Sequence, residues 1–450
     1  MTDQLSPTDR VEPLPPPTPL TAPPVAASRM DRIRSEIVAG GAAEEVDDDE
    51  LADGWRGKVA MLALAGLFVW LYTLNVWWFV FVVGLVISIF LHEAGHFLTA
   101  KWTGMKVTQF FMFMGPRLWS FRRGETEYGV RLVPLGAFVR IVGMHKMDAD
   151  VPEADEERTY RQKSFPRRLL VISGGSLMHM IIAICLLFVV YVGQGERSIA
   201  PEVFISNAEQ GLPAEQAGLR VDDQVVSVGG IEVSSSVELG EAVRSFAPGD
   251  VVDIVIVRDG TEQTVPVGLA ARTDVPENDP AFGTTYLGVG SGSPVEFIQH
   301  SVPAAALNAV TDIVPTAWES TQGVFKALNP VNLVTHVNGS NDDLATRPVT
   351  LVGVTGLSDD VGDSEGIFGV LWLLAVLNVF VGVFNMFPLL PLDGGHALIA
   401  VYERIREGIR GGKQRYFADV ERLMPFAMAV VVFLFMFMFA GLYLDISDPL

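Results

Sequence analysis

Charge is missing from four long stretches of this chain. Between Val59 and Leu91 there is no Asp, Glu, Lys or Arg, and the same holds for 169–193, 366–392 and 423–444. Each stretch is long enough for a spanning helix, which takes about 20 apolar residues. Cysteine is nearly absent as well. Cys185 stands alone, which excludes a disulfide framework or a cysteine metal site within the chain; in its apolar run it reads as an inert small side chain. Basic residues are scarce, 32 Lys and Arg against 53 Asp and Glu, and a net charge of −21 argues against nucleic acid as a partner. The start of the chain lacks a basic segment followed by an apolar one, so no signal peptide is expected there. What is present, 450 residues with 49% hydrophobic side chains and a mean hydropathy of +0.34, suits a multi-span membrane protein with a soluble part.

The uncharged runs and the basic residues between them order the chain. Residues 1–58 are proline-rich and then acidic, a composition that buries no core and predicts a disordered cytoplasmic tail. The run 59–91 is about 50 Å long as one helix, more than a hydrocarbon core of about 30 Å. Arg56 and Lys58 precede it, and thirteen Lys and Arg fall in 100–168. Both flanks are therefore expected in the cytoplasm. Two spans follow, an extra one at 59–75 and a first core span at 77–99, turning near Thr73-Leu74-Asn75. A second core span at 169–193 leads outward. The segment 194–365 has only seven Lys and Arg and belongs outside. A third core span covers 366–397, a basic cytoplasmic amphipathic helix 398–422, a fourth core span 423–444, and a short tail 445–450.

The outer segment divides at about 292. Gly211-Leu212-Pro213-Ala214-Glu215-Gln216-Ala217-Gly218-Leu219 runs into Asp222-Asp223-Gln224-Val225-Val226-Ser227-Val228-Gly229-Gly230, then a helical run and the alternating strand Val251 to Arg258. This order resembles a PDZ domain of the kind attached to bacterial proteases, over 196–292. Tyr286-Leu287-Gly288-Val289 looks like the element such domains use to receive a peptide C-terminus by strand addition. Residues 293–365 are expected to be an extracytoplasmic linker with amphipathic helices.

Within the first core span stands Leu91-His92-Glu93-Ala94-Gly95-His96-Phe97. On a helix, His92 and His96 share a face one turn apart, with Glu93 beside them. That is the spacing of two zinc ligands and a general base. An ionised group in a span costs roughly 2.5–3.5 kcal/mol, so such residues mark function. A catalytic zinc takes a third protein ligand and keeps one position open. Asp393 is the sole acidic residue across 366–402, in Pro388-Leu389-Leu390-Pro391-Leu392-Asp393-Gly394-Gly395-His396. It is the favoured third ligand, with His396 as the competitor. Pro388 and Pro391 break the span and free backbone groups beside it. His179, in the second core span, reads as a hydrogen-bonded interior histidine.

HEAGH on an early span, a central PDZ-like domain and N-x-x-P-x-x-P-L-D-G-G on a late span together resemble the site-2 protease family of intramembrane zinc metalloproteases, in its bacterial PDZ-containing branch. The resemblance covers about 77–445. It implies Zn2+ held by His92, His96 and Asp393, with Glu93 as the catalytic base. It implies cleavage of single-span membrane proteins in the lipid bilayer, such as anti-sigma factors already trimmed by an upstream site-1-type protease. Gly124 to Val130, leading to Pro134-Leu135-Gly136, is similar to the family's membrane-associated β-hairpin. Tyr128 and Gly129 on that hairpin, with Asn378, Asn385, Pro388 and Pro391, are the expected substrate-binding residues. One departure stands out: where the family often has G-P-x-x-N, this chain reads Gly175-Ser176-Leu177-Met178-His179.

The expected fold is thus a multi-span α-helical membrane protein with an extracytoplasmic α+β PDZ-like domain and a membrane-associated β-hairpin. The expected location is the bacterial plasma membrane, with the active site near the cytoplasmic side. Two rival functions use the same ligands. A catalytically inactive scaffold would have lost a ligand or the base, and neither is lost. A metal transporter would show internal repeats and polar groups through several spans, whereas these spans are otherwise bare.

Overall fold

A computed structural model describes residues 55–144, 151–273, 282–338, 346–411, 416–418 and 420–447. The tail expected over most of 1–58 and the end of the chain lie outside these. Among the described residues, five helices are long and apolar enough to cross a membrane: within Trp55–Leu74 (α1), Val76–Trp102 (α2), Gly174–Gly193 (α4), Leu351–Asn385 (α10) and Met424–Ser447 (α12).

Asn75 divides the first apolar run. Its side-chain oxygen accepts from the backbone N–H groups of Trp77 and Trp78 at 2.7 and 3.1 Å, capping α2. Its amide donates to Asp359 at 2.6 Å, tying this corner to α10. Further along, α2 crosses α4 at closest approach: a Cβ on Gly95 would meet the Gly174 carbonyl oxygen at 2.2 Å. Small residues are what allow helices to come so near in lipid.

Strands β1 (Val107–Arg123) and β2 (Thr126–Ile141) follow α2. They do more than form one ladder. Phe110 pairs with both Val139 and Tyr128, and Phe111 with both Phe138 and Gly129, while Trp119 to Arg123 pair with Val130 back to Thr126. The hairpin is therefore folded over itself, with 107–112 between 126–130 and 137–141. The turn that joins its strands is anchored by Glu125, which accepts from Lys101 at 2.6 Å and Arg158 at 2.7 Å. These partners hold the Glu125 carboxyl down to about 2, the Arg158 bonds first and Lys101 next.

Helix α3 (Phe165–Ile172) leads into α4. Beyond α4 comes a two-stranded stalk, β3 (Glu196–Ile199) against β12 (Val295–Ile298). Between them lies a six-stranded sheet in the order β11-β4-β5-β7-β8, with β6 (Ile231–Glu232) paired to β5. The strands are β4 (Val203–Ala208), β5 (Gln224–Val228), β7 (Val251–Arg258), β8 (Thr261–Gly268) and β11 (Val289–Gly292); Ala270–Ala271 and Thr285–Tyr286 form a small side ladder, β9 and β10. Helices α5 (Pro213–Gln216) and α6 (Ser236–Arg244) complete this unit. Its core comes from strand alternation: Val252, Ile254 and Ile256 are buried while Val251 and Asp253 are exposed. The sheet with two helices is the arrangement the PDZ resemblance implies.

The stretch 293–365, expected to be a linker with amphipathic helices, carries three helices ahead of the one that begins at Leu351. Helix α7 (Val302–Thr311) buries Ala305 and Ala309 against Leu187, Val190 and Tyr191 of α4. Helix α8 (Ile313–Ala327) then runs along α10, ending with the Phe325 ring 5.5 Å from that of Phe387. A short α9 (Pro330–Val337) follows. The span expected over 366–397 is not one helix. Helix α10 begins at Leu351, breaks at Gly366 (φ 67°, ψ −152°) and ends at Asn385; a turn with a cis Leu390–Pro391 bond precedes α11 (Asp393–Ile409). The basic helix expected from 398 therefore starts at Asp393 itself. Helix α11 is fixed to α3 by a buried pair, Arg168 Nη1 to Glu403 Oε2 at 2.6 Å. Glu403 also accepts from the Ala418 backbone at 2.8 Å.

Candidate metal centre

Three side chains from two helices bring one atom each to a point. Helix α2 presents His92 and His96 one turn apart, and the first residue of α11 presents Asp393. His92 Nε2 lies 3.3 Å from His96 Nε2. Asp393 Oδ2 lies 3.5 Å from the first and 3.3 Å from the second. Among the described residues, this is the group of His, Cys, Asp and Glu placed to hold a metal ion, and His396 is not part of it. The spacing suits zinc. Ligands at about 2.0–2.1 Å in a tetrahedron stand about 3.3–3.4 Å from one another. Asp393 Oδ2 is buried without a hydrogen-bond partner. A buried carboxylate oxygen left so is costly, and a bound cation removes that cost.

The two imidazoles are held differently. His96 Nδ1 is 2.7 Å from the Val171 carbonyl, so it carries the proton and leaves the Nε2 lone pair toward the metal position. His92 Nδ1 is buried with the Gly175 backbone as its hydrogen-bonding neighbour. The His92 ring also rests against neighbours: the His96 ring edge-on at 4.9 Å and the His179 ring at 4.9 Å. Gly175 keeps the space open. A Cβ there would fall 2.3 Å from His92 Cε1 and 2.5 Å from His96 Nε2.

Glu93 Oε1 stands 3.9 Å from His92 Nε2, outside the converging triangle but beside it. The Val139 backbone on β2 lies against the same carboxylate. The folded hairpin thus borders the site, a contact that no spacing in the sequence announces.

The other expected residues fall in three places. Tyr128 stacks in an aromatic group, 5.8 Å from Phe97 and 5.4 Å from Phe121 by ring centroids. Gly129 sits where a side chain would strike the Trp119 carbonyl and the Phe111 ring. Asn385 closes α10 half-buried; Pro388 is exposed and Pro391 half-buried in the turn to Asp393. Asn378 is different. It is 1% exposed, and its side chain is fully committed within the protein, to His179, Ser88 and the Leu374 carbonyl. A substrate contact for Asn378 does not fit that placement. Phe325 of α8, which the sequence left in a linker, comes within ring contact of Phe387 in the same turn.

Comparison with known proteins places this geometry in context. A family model, peptidase family M50, matches residues 80–439. The zinc metalloprotease Rip1 of Mycobacterium tuberculosis strain Erdman is 32% identical over 398 residues, covering 82% of this chain and 97% of that protein. Rip1 of Mycolicibacterium smegmatis is 30% identical over 403 residues, with the same coverage. Among solved structures, the PDZ domain of an SdrC-like protein from Listeria monocytogenes matches 20% of this chain and 87% of that domain, at 21% identity and a TM-score of 0.18.

Proposed function

The chain belongs to peptidase family M50, the site-2 proteases, and is a multi-pass membrane zinc metalloprotease; from that premise we propose that His92, His96 and Asp393 hold the zinc and that Glu93 is the general base for cutting the spanning segments of single-span membrane proteins. The observation that carries the ligand set is the triangle of 3.3, 3.3 and 3.5 Å between two imidazole nitrogens and an otherwise unpartnered carboxylate oxygen.

When bound, the zinc supplies Lewis acidity, polarising the scissile carbonyl and acidifying water. The rest falls to the chain. Glu93 takes the proton of the attacking water and returns it to the leaving amine. Val171, through its carbonyl, keeps His96 in the tautomer that binds metal. A peptide bond inside a helix is protected by its own hydrogen bonds, so the substrate must be held extended. The folded hairpin next to Glu93 is the surface suited to this, receiving the segment as an added strand along its 137–141 edge, while Tyr128 and Gly129, paired on both sides, lie in the strand behind it. Asn385, with the turn through Pro388 and Pro391, faces the freed backbone groups.

The orientation follows from the basic residues of 100–168 and 398–422, which put the hairpin and α11 in the cytoplasm and the six-stranded sheet outside. The sheet then acts as a gate that admits substrates already shortened by a site-1-type protease. Anti-sigma factors are the substrates this architecture suits.

Glu93→Gln is the direct test. Candidate single-span proteins, anti-sigma factors first, are co-expressed with the intact enzyme or the variant, and zinc is measured in both. The variant retains zinc and loses cleavage by about 10²–10⁴-fold, so that true substrates accumulate. Wild-type cleavage by the variant would remove Glu93 from the mechanism.

A further inference from the structure

His92 and His96 occupy equivalent positions on α2, yet their second ring nitrogens are held differently: His96 Nδ1 is 2.7 Å from the Val171 carbonyl, whereas His92 Nδ1 has the Gly175 backbone beside it. Metal-binding histidines are ordinarily fixed by a hydrogen bond at that nitrogen, which sets ring orientation and tautomer. Besides the Gly175 backbone, the group placed to orient the His92 ring is His179 on α4. Its ring is 4.9 Å from that of His92 and it is 2% exposed.

His179 is itself rigidly held, and its tautomer can be deduced. The Asn378 amide nitrogen donates to the Leu374 carbonyl at 2.7 Å, a group that only accepts, and to Ser88 Oγ at 3.1 Å. The amide oxygen of Asn378 is thus the atom facing His179 Nδ1, at 2.8 Å. His179 must carry its proton on Nδ1 to donate there. Ser88 lies one turn before His92 on the same helix, and its hydroxyl donates to the Gly84 carbonyl at 2.9 Å. The chain Ser88–Asn378–His179 therefore starts on α2, crosses α10, reaches α4 and ends against a ring on α2.

We propose that His179 is a positioning residue of the metal centre: clamped by Asn378 and Ser88, its ring packs on that of His92 and, together with the Gly175 backbone, holds it in the orientation that binds zinc. This rests on the ligand assignment above. It also gives a role to the position where this chain departs from the G-P-x-x-N pattern. In lipid, where apolar side chains gain little by meeting one another, a buried hydrogen-bond chain of this kind also sets the register between α2, α4 and α10.

The test uses full-length protein in detergent, with zinc affinity measured by chelator competition and the site's geometry by the visible spectrum of the Co2+-loaded form. Thermal melting of the metal-free protein reports the fold separately. His179→Phe keeps a ring against His92 but orphans the Asn378 oxygen. The double variant His179→Phe/Asn378→Leu removes the orphan as well. We expect His179→Phe to lower zinc affinity about 10–100-fold and to alter the cobalt spectrum. The double variant is expected to regain most of the melting temperature but not the affinity or the spectrum. Wild-type affinity and spectrum in either variant would overturn the proposal, because His179 would then be packing alone. Should the wild-type protein itself take up no zinc, the ligand assignment fails instead, a separate and recognisable result.

Discussion

In the six-stranded sheet the fully buried side chains include Val203, Ile205, Val225, Ile254, Ile256 and Val267, all apolar. Where α2, α4 and α10 meet, the buried set includes Ser88, His92, His96, Ser176, His179 and Asn378. The contrast follows from the surroundings. In water, removing apolar surface drives the sheet together at about 25 cal/mol per Å². Within lipid that drive is lost between helices, and small residues and polar bonds specify the arrangement. One region is held by what it hides, the other by a few directed contacts, and the metal centre is built from the second kind.

Four changes would break or sharpen that contrast. The largest effect belongs to Asp393→Ala, which takes away one of the three proposed ligands. Tightly held zinc should be lost on dialysis, and with it all cleavage, while the sheet unit melts as before; retained zinc by metal analysis would disprove the triangle as a binding site. Next is Arg168→Ala, which leaves Glu403 buried without its cation. Breaking a buried pair in this way costs about 3–5 kcal/mol, here loosening α11 and the Asp393 at its start. Arg168→Met with Glu403→Leu should recover most of that loss in a thermal melt. Ile254→Ala comes third. A cavity in the sheet core costs about 2–5 kcal/mol, so the sheet unit should become sensitive to protease with zinc content unchanged. If that unit is a gate, untrimmed substrates should then be cut; continued dependence on trimming would refute the gate.

The smallest effect concerns the hairpin anchor. The Glu125 carboxyl is held at about 2, below its ordinary value of 4.5. A depressed carboxylate stabilises the fold above the unfolded value and loses that contribution as pH falls from about 4.5 through about 2. Hairpin protection, followed by hydrogen exchange, should accordingly be flat from pH 5 to 8 and fall in acid. Glu125→Gln should show the weakened protection already at neutral pH, and much less further change on acidification.

The convergence of the proposed site was legible in the sequence and the scaffolding around it was not, for reasons visible in single residues. His92, Glu93 and His96 announce themselves because a helix turn fixes their relation locally. Asp393 could be paired with them because a lone acid in an apolar stretch is costly enough to demand a partner. Asn378 shows the limit. By type and position it suited substrate contact, but its fate depends on His179, 199 residues away, and on Ser88, 290 residues away. The double pairing of Phe110 and Phe111 in the hairpin, and the descent of α8 to Phe387, are equally non-local. No periodicity records them, because a strand or helix pattern says which face is apolar and not what covers it.

Gly175 has a consequence of its own. A single added methyl would stand within 2.3 Å of one ligand ring and 2.5 Å of the other ligand's nitrogen. Alanine at this position would act as a plug, with every ligand, the base and the hairpin still encoded. Such a plugged twin would separate what this protein does by cutting from what it does merely by being present in the membrane.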